Sequence, residues 1–145
     1  MTSLFRIALN FLELSLLSVC LALEWGYGDG VLMNMTHKKP GEVITPEDMS
    51  EALAMTGRQL KPLDIVLART DADKLWNTAR CWTDFPGVGR EATLWLLDQG
   101  IKVVVGADAL GWDRPFNYQV EGFLKTRDGS LIWEGHFAGI ENEYF

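Results

Sequence analysis

A strand–helix–strand pattern over residues 63–105 most constrains the fold. Residues 63–69 (LDIVLAR) are mainly apolar, residues 90–99 carry leucines and a tryptophan at helical spacing, and residues 101–105 (IKVVV) are rich in β-branched side chains. A crossover helix between two such strands gives parallel pairing with a right-handed connection. The sequence therefore predicts an α/β fold, a mixed sheet with flanking helices, and leaves an α+β arrangement as the alternative.

The segments on either side supply further elements of the same kind. Thr45, Pro46 and the acidic residues after them are typical of a helix start, which predicts a helix to about Met55. Residues 31–35 are predicted to form a strand and residues 115–124 another helix. The alternation of strands and helices thus extends over most of the chain.

The N-terminal segment differs in character, so we expect two parts, an apolar helix over residues 1–27 and a domain over residues 28–145. Residues 4–23 are rich in leucine, but Asn10 and Glu13 interrupt the apolar run. A membrane span would bury Glu13 near the bilayer centre, at a cost of about 2.5–3.5 kcal/mol. A packed helix is therefore favoured over the alternatives, a signal peptide or a membrane anchor.

Charge and cysteine usage limit the expected partners and compartment. The 145 residues carry a formal net charge of −7 and have a sequence pI near 4.7. Nucleic acids and anionic membranes are bound mainly through lysine and arginine, so neither is an expected partner. Cys20 and Cys81 are far apart in the sequence, which is typical of reduced thiols and predicts a cytoplasmic protein.

The loop after residues 101–105 is a candidate binding site, because ligands of open α/β sheets bind beyond the carboxyl ends of the strands. It carries Asp108, Trp112, Asp113 and Arg114. Of these, Asp108, Trp112 and Arg114 are predicted to bind substrate. Alternatives remain open: the aspartates can instead cap backbone N–H groups, and Arg114 can pair with one of them or bind a substrate carboxylate.

Aromatic residues on loops predict the walls of an aryl-binding pocket. Trp82, Phe85 and Trp112 fall outside regular helical or strand spacing. Since ligand pockets are mainly apolar, these side chains are predicted to contact substrate, with packing beneath a loop as the equal alternative. Trp76 and Trp95 follow helical patterns and are predicted to lie in the core.

Several short motifs occur in order along residues 30–144. They are residues 37–42 (HKKPGE), 44–48 (ITPED), 62–67 (PLDIVL), 106–108 (GAD), 113–116 (DRPF) and 133–136 (WEGH). Together they resemble the cyclase family of metal-dependent hydrolases. That family contains kynurenine formamidase (arylformamidase), an enzyme of tryptophan catabolism, and isatin hydrolase.

The resemblance implies a swivelling β/β/α fold, usually oligomeric, that hydrolyses an amide, either a formanilide or a small cyclic amide. In the family, two zinc or manganese ions are held by an HxGTHxD motif, a later histidine and a glutamate twelve residues after it. Such ions lower the pKa of bound water and polarise the carbonyl oxygen. The expected function is therefore metal-dependent hydrolysis of the C–N bond of a small aryl or cyclic amide.

The chain departs from the family pattern at both ends. No HxGTHxD motif precedes residue 31, and the glutamate that would follow His136 falls beyond Phe145. His136 matches the later family histidine and is the only metal ligand that the resemblance assigns. The alternative expectation is a truncated, non-catalytic family member that binds no metal. An incomplete sheet with unpaired edges is also expected to favour homo-oligomers.

Overall fold

The computed structural model describes residues 27–101 and 105–141, so the helix predicted over residues 1–27 lies almost entirely outside the described part. The strands and helices are, in order, β1 (Gly30–Asn34), β2 (Val43–Ile44), α1 (Pro46–Thr56), β3 (Ile65–Arg69), β4 (Gly87–Val88), α2 (Arg90–Asp98), β5 (Val105–Ala107), α3 (Phe116–Thr126) and α4 (Glu134–Glu141). Short 3₁₀ helices lie at Ala72–Leu75, Ala79–Trp82 and Gly129–Leu131. Within these described ranges, no helix has the length and apolar character needed to cross a bilayer.

Two parallel sheets form the scaffold. One sheet has the strand order β1–β3–β5, and β2 pairs with β4 in the other. The crossover from β3 through α2 to β5 sets Val66 opposite Val105, which confirms the predicted parallel pairing. Every strand pair among the described residues is parallel, where the sequence pattern suggested a mixed sheet. The α/β class is confirmed.

One face of the three-stranded sheet forms a side of the hydrophobic core. Side chains alternate between buried and exposed along β1 and β3, and the buried ones belong to the core. The opposite face bears Leu32 and Leu67, which are 53% and 40% exposed. Helices α1 and α2 contribute to the same core, which includes Val31, Met33, Met49, Ala52, Val66, Ala68, Ala92 and Leu96.

Local sequence determines the start of α1. The Thr45 hydroxyl accepts a hydrogen bond from the Asp48 N–H at 3.3 Å, and the Thr45 N–H donates to Asp48 Oδ2 at 2.8 Å. Pro46 occupies the first turn, and Gly57 ends the helix with a φ of 67°. This reciprocal capping box confirms the helix start that the sequence predicted.

The two tryptophans predicted to lie in the core have different surroundings. Trp95 on α2 packs half-buried against the core. The prediction for Trp76 is wrong, because its side chain is 63% exposed. The 3₁₀ helix ends at Leu75, and the backbone becomes extended at Trp76, so no helical face carries this ring inward.

Candidate functional site

A cleft of about 390 Å³ lies beside the loop that follows β5 and the start of α4. Trp82 and Phe85 come from the segment before β4, and Trp133 precedes α4. Arg114 and His136 contribute polar groups to the same lining. The structure therefore brings together four residues predicted from the sequence, Trp82, Phe85, Arg114 and His136.

The aromatic side chains of the cleft differ in exposure. Phe85 is only 3% exposed and is fixed by its surroundings, whereas Trp82 and Trp133 are 64% and 49% exposed. Large apolar side chains grouped at a concave surface are typical of binding sites. The cleft thus combines a buried aromatic wall with two rings that a ligand can reach.

The Asp113 carboxylate fixes the position of His136. Asp113 is 6% exposed, and its Oδ1 accepts a hydrogen bond from the Gly135 N–H at 2.5 Å. Its Oδ2 accepts from the His136 N–H at 3.3 Å and contacts Nδ1 of the same ring. These bonds confirm that Asp113 caps backbone N–H groups. They also leave Nε2 as the ring nitrogen without a partner in the described part of the chain.

Arg114 pairs with Glu134. Its Nη2 donates to Glu134 Oε1 at 3.2 Å, and the two side chains are 18% and 16% exposed. The pairing with Asp108 or Asp113 that the sequence left open is not formed, and both of those carboxylates accept backbone N–H groups instead. Arg114 Nε is buried and has no acceptor among the described residues. The Arg114 guanidinium therefore has an N–H donor that no acceptor in the described part of the protein engages.

Gln119 is a cleft residue that sequence reasoning missed. Its buried side chain on α3 donates to the Arg114 carbonyl oxygen and accepts from the Trp133 N–H at 2.9 Å. Trp133 has a φ of 58°, which is uncommon for a bulky residue, and its ring centroid lies 5.1 Å from that of His136. A glutamine inside a helix gives no sequence signal, since its partners here are 5 and 14 residues away.

Asp108 and Trp112 lie outside the lining of the cleft. Asp108 Oδ1 accepts from the Thr70 N–H at 2.7 Å and from the Thr70 hydroxyl at 2.6 Å, and Oδ2 accepts from the Asp71 N–H at 2.8 Å. Trp112 is 8% exposed, and its Nε1 donates to Thr93 Oγ1 at 2.9 Å. The side chains of Asp108 and Trp112 therefore form hydrogen bonds that connect segments of the scaffold.

The described donor groups around His136 do not amount to a catalytic metal site. A catalytic zinc ion normally has three protein ligands and a water. His136 offers Nε2, but Asp113 already accepts two backbone N–H groups and contacts Nδ1 of the same ring. A group of carboxylates close enough to share an ion consists, within the described ranges, of Asp71, Asp73 and Asp108 and does not include His136. The described part of the cleft thus supplies one candidate ligand.

Comparison with known proteins identifies a family. The Cyclase family model matches residues 14–114. The match includes the loop that carries Asp108 and Arg114, and it ends before His136. No curated protein matches the chain.

A solved structure described as the crystal structure of an isatin hydrolase bound to the product analogue thioisatinate has a similar fold. The TM-score is 0.57 at 19% sequence identity, over 66% of this chain and 39% of that chain. This chain therefore spans well under half the length of that protein. The similarity confirms the expected cyclase-like α/β fold.

Proposed function

Because the chain belongs to the Cyclase family, we propose that it binds a small aryl amide in the cleft and takes part in metal-dependent hydrolysis of the amide C–N bond. One observation carries the proposal: the aromatic walls, Arg114 and His136 meet in a single cleft. The thioisatinate bound by the similar isatin hydrolase supports an aryl ligand of this size.

The aromatic side chains suit the ring of such a substrate. The volume of about 390 Å³ falls within the range of about 300–1,000 Å³ that is usual for small-molecule sites. Trp82 and Trp133 expose ring surface to the cleft, and aromatic rings pack favourably in offset or edge-to-face arrangements. We therefore assign substrate-ring contacts to Trp82, Phe85 and Trp133.

Arg114 is the residue that we assign to a substrate oxygen. Glu134 engages Nη2, and the buried Nε has no acceptor among the described residues. A guanidinium binds carbonyl and carboxylate oxygens through its fixed fork of N–H donors. The carbonyl of an amide substrate, or the carboxylate of a ring-opened product, is an acceptor of this kind.

His136 is assigned to the reacting end of the cleft. Asp113 contacts Nδ1 and so directs Nε2 toward other partners. A neutral imidazole can bind a metal ion or take up a proton near neutral pH. We assign His136 as the metal ligand that this chain contributes.

A second candidate function is binding of the same aryl amide without hydrolysis. The small number of possible metal ligands favours this function. His136 is the one imidazole that lines the described cleft, and the neighbouring carboxylates of Asp113 and Glu134 are already engaged in other contacts. Such a protein would hold the ligand through Trp82, Trp133 and Arg114 and release it unchanged.

The test measures binding and hydrolysis together. The full chain is assayed with formanilide and with isatin, in the presence of zinc or manganese, beside His136→Ala and the matched control His37→Ala. His37 is the other histidine of the chain, and its side chain is 59% exposed. Hydrolysis that is lost only in His136→Ala supports the hydrolase. Binding without turnover supports the non-catalytic alternative, and absence of binding contradicts both.

A further inference from the structure

We infer that Gln119 is a positioning residue that holds Trp133 as a wall of the cleft and so tunes the cleft for planar aryl ligands. The inference rests on the proposed function, because it specifies how the same cleft selects its ligand. Gln119 is 5% exposed, and it lines the cleft together with Arg114 and Trp133.

The Gln119 amide joins the two segments that form the cleft. Its Nε2 donates to the carbonyl oxygen of Arg114, which ends the loop after β5. Its Oε1 accepts from the N–H of Trp133, which precedes α4. Both polar ends of one buried side chain are therefore used to fix the distance between these two segments.

The backbone at Trp133 needs such an anchor. A φ of 58° is costly for a bulky residue and persists only where neighbouring groups hold it. The Trp133 N–H is held by Gln119, and the Trp133 carbonyl accepts from the Phe137 N–H at 2.8 Å. Without the Gln119 bond, the segment can relax to an ordinary backbone conformation, which moves the indole.

The position of the indole matters because of its neighbour. The Trp133 ring lies 5.1 Å from the His136 ring at an interplanar angle of 59°. Asp113 holds His136 through the N–H groups of Gly135 and His136, bonds in which Gln119 takes no part. Gln119 thus determines where the Trp133 indole lies relative to His136. If the indole is displaced, the cleft binds an aryl ring less tightly.

A double-mutant cycle on formanilide binding tests this mechanism. Titration calorimetry compares the full chain with Gln119→Leu, Trp133→Ala and the double variant, and Asn117→Ala on the exposed side of α3 is the matched control. Gln119→Leu removes both hydrogen bonds of the amide, and we expect the resulting displacement of Trp133 to raise the Kd about tenfold. In the Trp133→Ala background, the same change is expected to have little effect. An equal rise in both backgrounds, or no rise in either, overturns the inference.

Two further measurements separate this inference from the proposed function. Gln119→Glu keeps an acceptor for the Trp133 N–H but loses the donor to the Arg114 carbonyl oxygen, so its Kd is expected to lie between those of the wild type and Gln119→Leu. Hydrogen exchange at the Trp133 amide is expected to be faster in Gln119→Leu and unchanged in Asn117→Ala. If the wild type binds no formanilide, the proposed function fails, and the role of Gln119 is then tested by hydrogen exchange at the Trp133 amide alone. An exchange rate in Gln119→Leu equal to that of the wild type overturns the positioning role.

If Gln119→Leu does not fold, Gln119→Ala replaces it in both measurements.

Discussion

Asp113 contacts His136 twice, through the backbone N–H and through ring Nδ1. The same carboxylate accepts from the Gly135 N–H, so it both caps the start of α4 and orients the histidine. One buried side chain therefore couples the stability of α4 to the geometry of the cleft.

We predict that Asp113→Asn destabilises the fold by about 1–3 kcal/mol, because an amide keeps one acceptor oxygen and leaves a buried N–H unsatisfied. Urea unfolding measures the difference. Asp98→Asn, at the exposed end of α2, is the matched control and is expected to remain close to wild type. Equal stability of both variants would contradict the capping role of Asp113.

Asp108 is expected to act on stability rather than on ligand binding. Its carboxylate joins the end of β5 to Thr70 and Asp71 after β3 through three hydrogen bonds. We expect Asp108→Ala to lower the free energy of unfolding by about 2 kcal/mol and to leave the Kd for formanilide unchanged. A large rise in Kd with little loss of stability would instead support the substrate contact that the sequence predicted.

Stability is expected to depend on pH through Asp48. Burial opposes ionisation of this carboxylate, but hydrogen bonds from Lys38 and Thr45 outweigh it and hold the pKa at about 2, below the ordinary 3.8. Because the folded pKa is the lower one, the ionised group stabilises the fold above about pH 4, and this contribution is lost as the pH falls toward 2.

We estimate the Asp48 contribution at about 1 kcal/mol, since solvent partly screens the pair. Urea unfolding of the wild type and Asp48→Asn at neutral pH and near pH 2 measures it, with Glu47→Gln as the control on the same helix turn. The two stabilities should differ at neutral pH and converge in acid. If the free energies of unfolding of the two proteins differ by the same amount at both pH values, ionised Asp48 does not have this stabilising role.

The outer face of the β1–β3–β5 sheet is expected to support self-association. Parallel sheets are normally covered on both faces, yet Leu32 and Leu67 remain exposed. Light scattering should find oligomers in the wild type and a smaller apparent mass when both residues are changed to lysine. Leu124→Lys, an exposed position on α3, is the control. A monodisperse wild-type monomer at high concentration would refute this expectation.

Much of the fold could be predicted because local signals and tertiary packing agree. Thr45 and Pro46 define the start of α1 by capping chemistry alone, and the apolar run predicted over residues 63–69 forms the strand Ile65–Arg69. Trp76 could not be placed in this way. Its exposure depends on where a short 3₁₀ helix ends, and such an end leaves little trace in the pattern of apolar residues.

The candidate site could be predicted only where single residues carry the signal. Loop aromatics and the WEGH motif indicated Trp82, Phe85 and His136. The Arg114–Glu134 pair was missed, because Asp113 is the nearer acid in sequence and is taken instead by the start of α4. Gln119 was missed because its role depends on two distant backbone groups.

The assignment of the cleft as the ligand site is tested most directly by a titration of the ¹⁵N-labelled full chain with isatin, followed through the indole N–H signals. We expect the signals of Trp82 and Trp133 to shift, because both rings line the cleft. The signal of Trp112 should stay in place, since its Nε1 is bonded to Thr93, and so should that of the exposed Trp76. Shifts confined to Trp76 or Trp112, or no shift at saturating isatin, would contradict the assignment of this cleft as the ligand site.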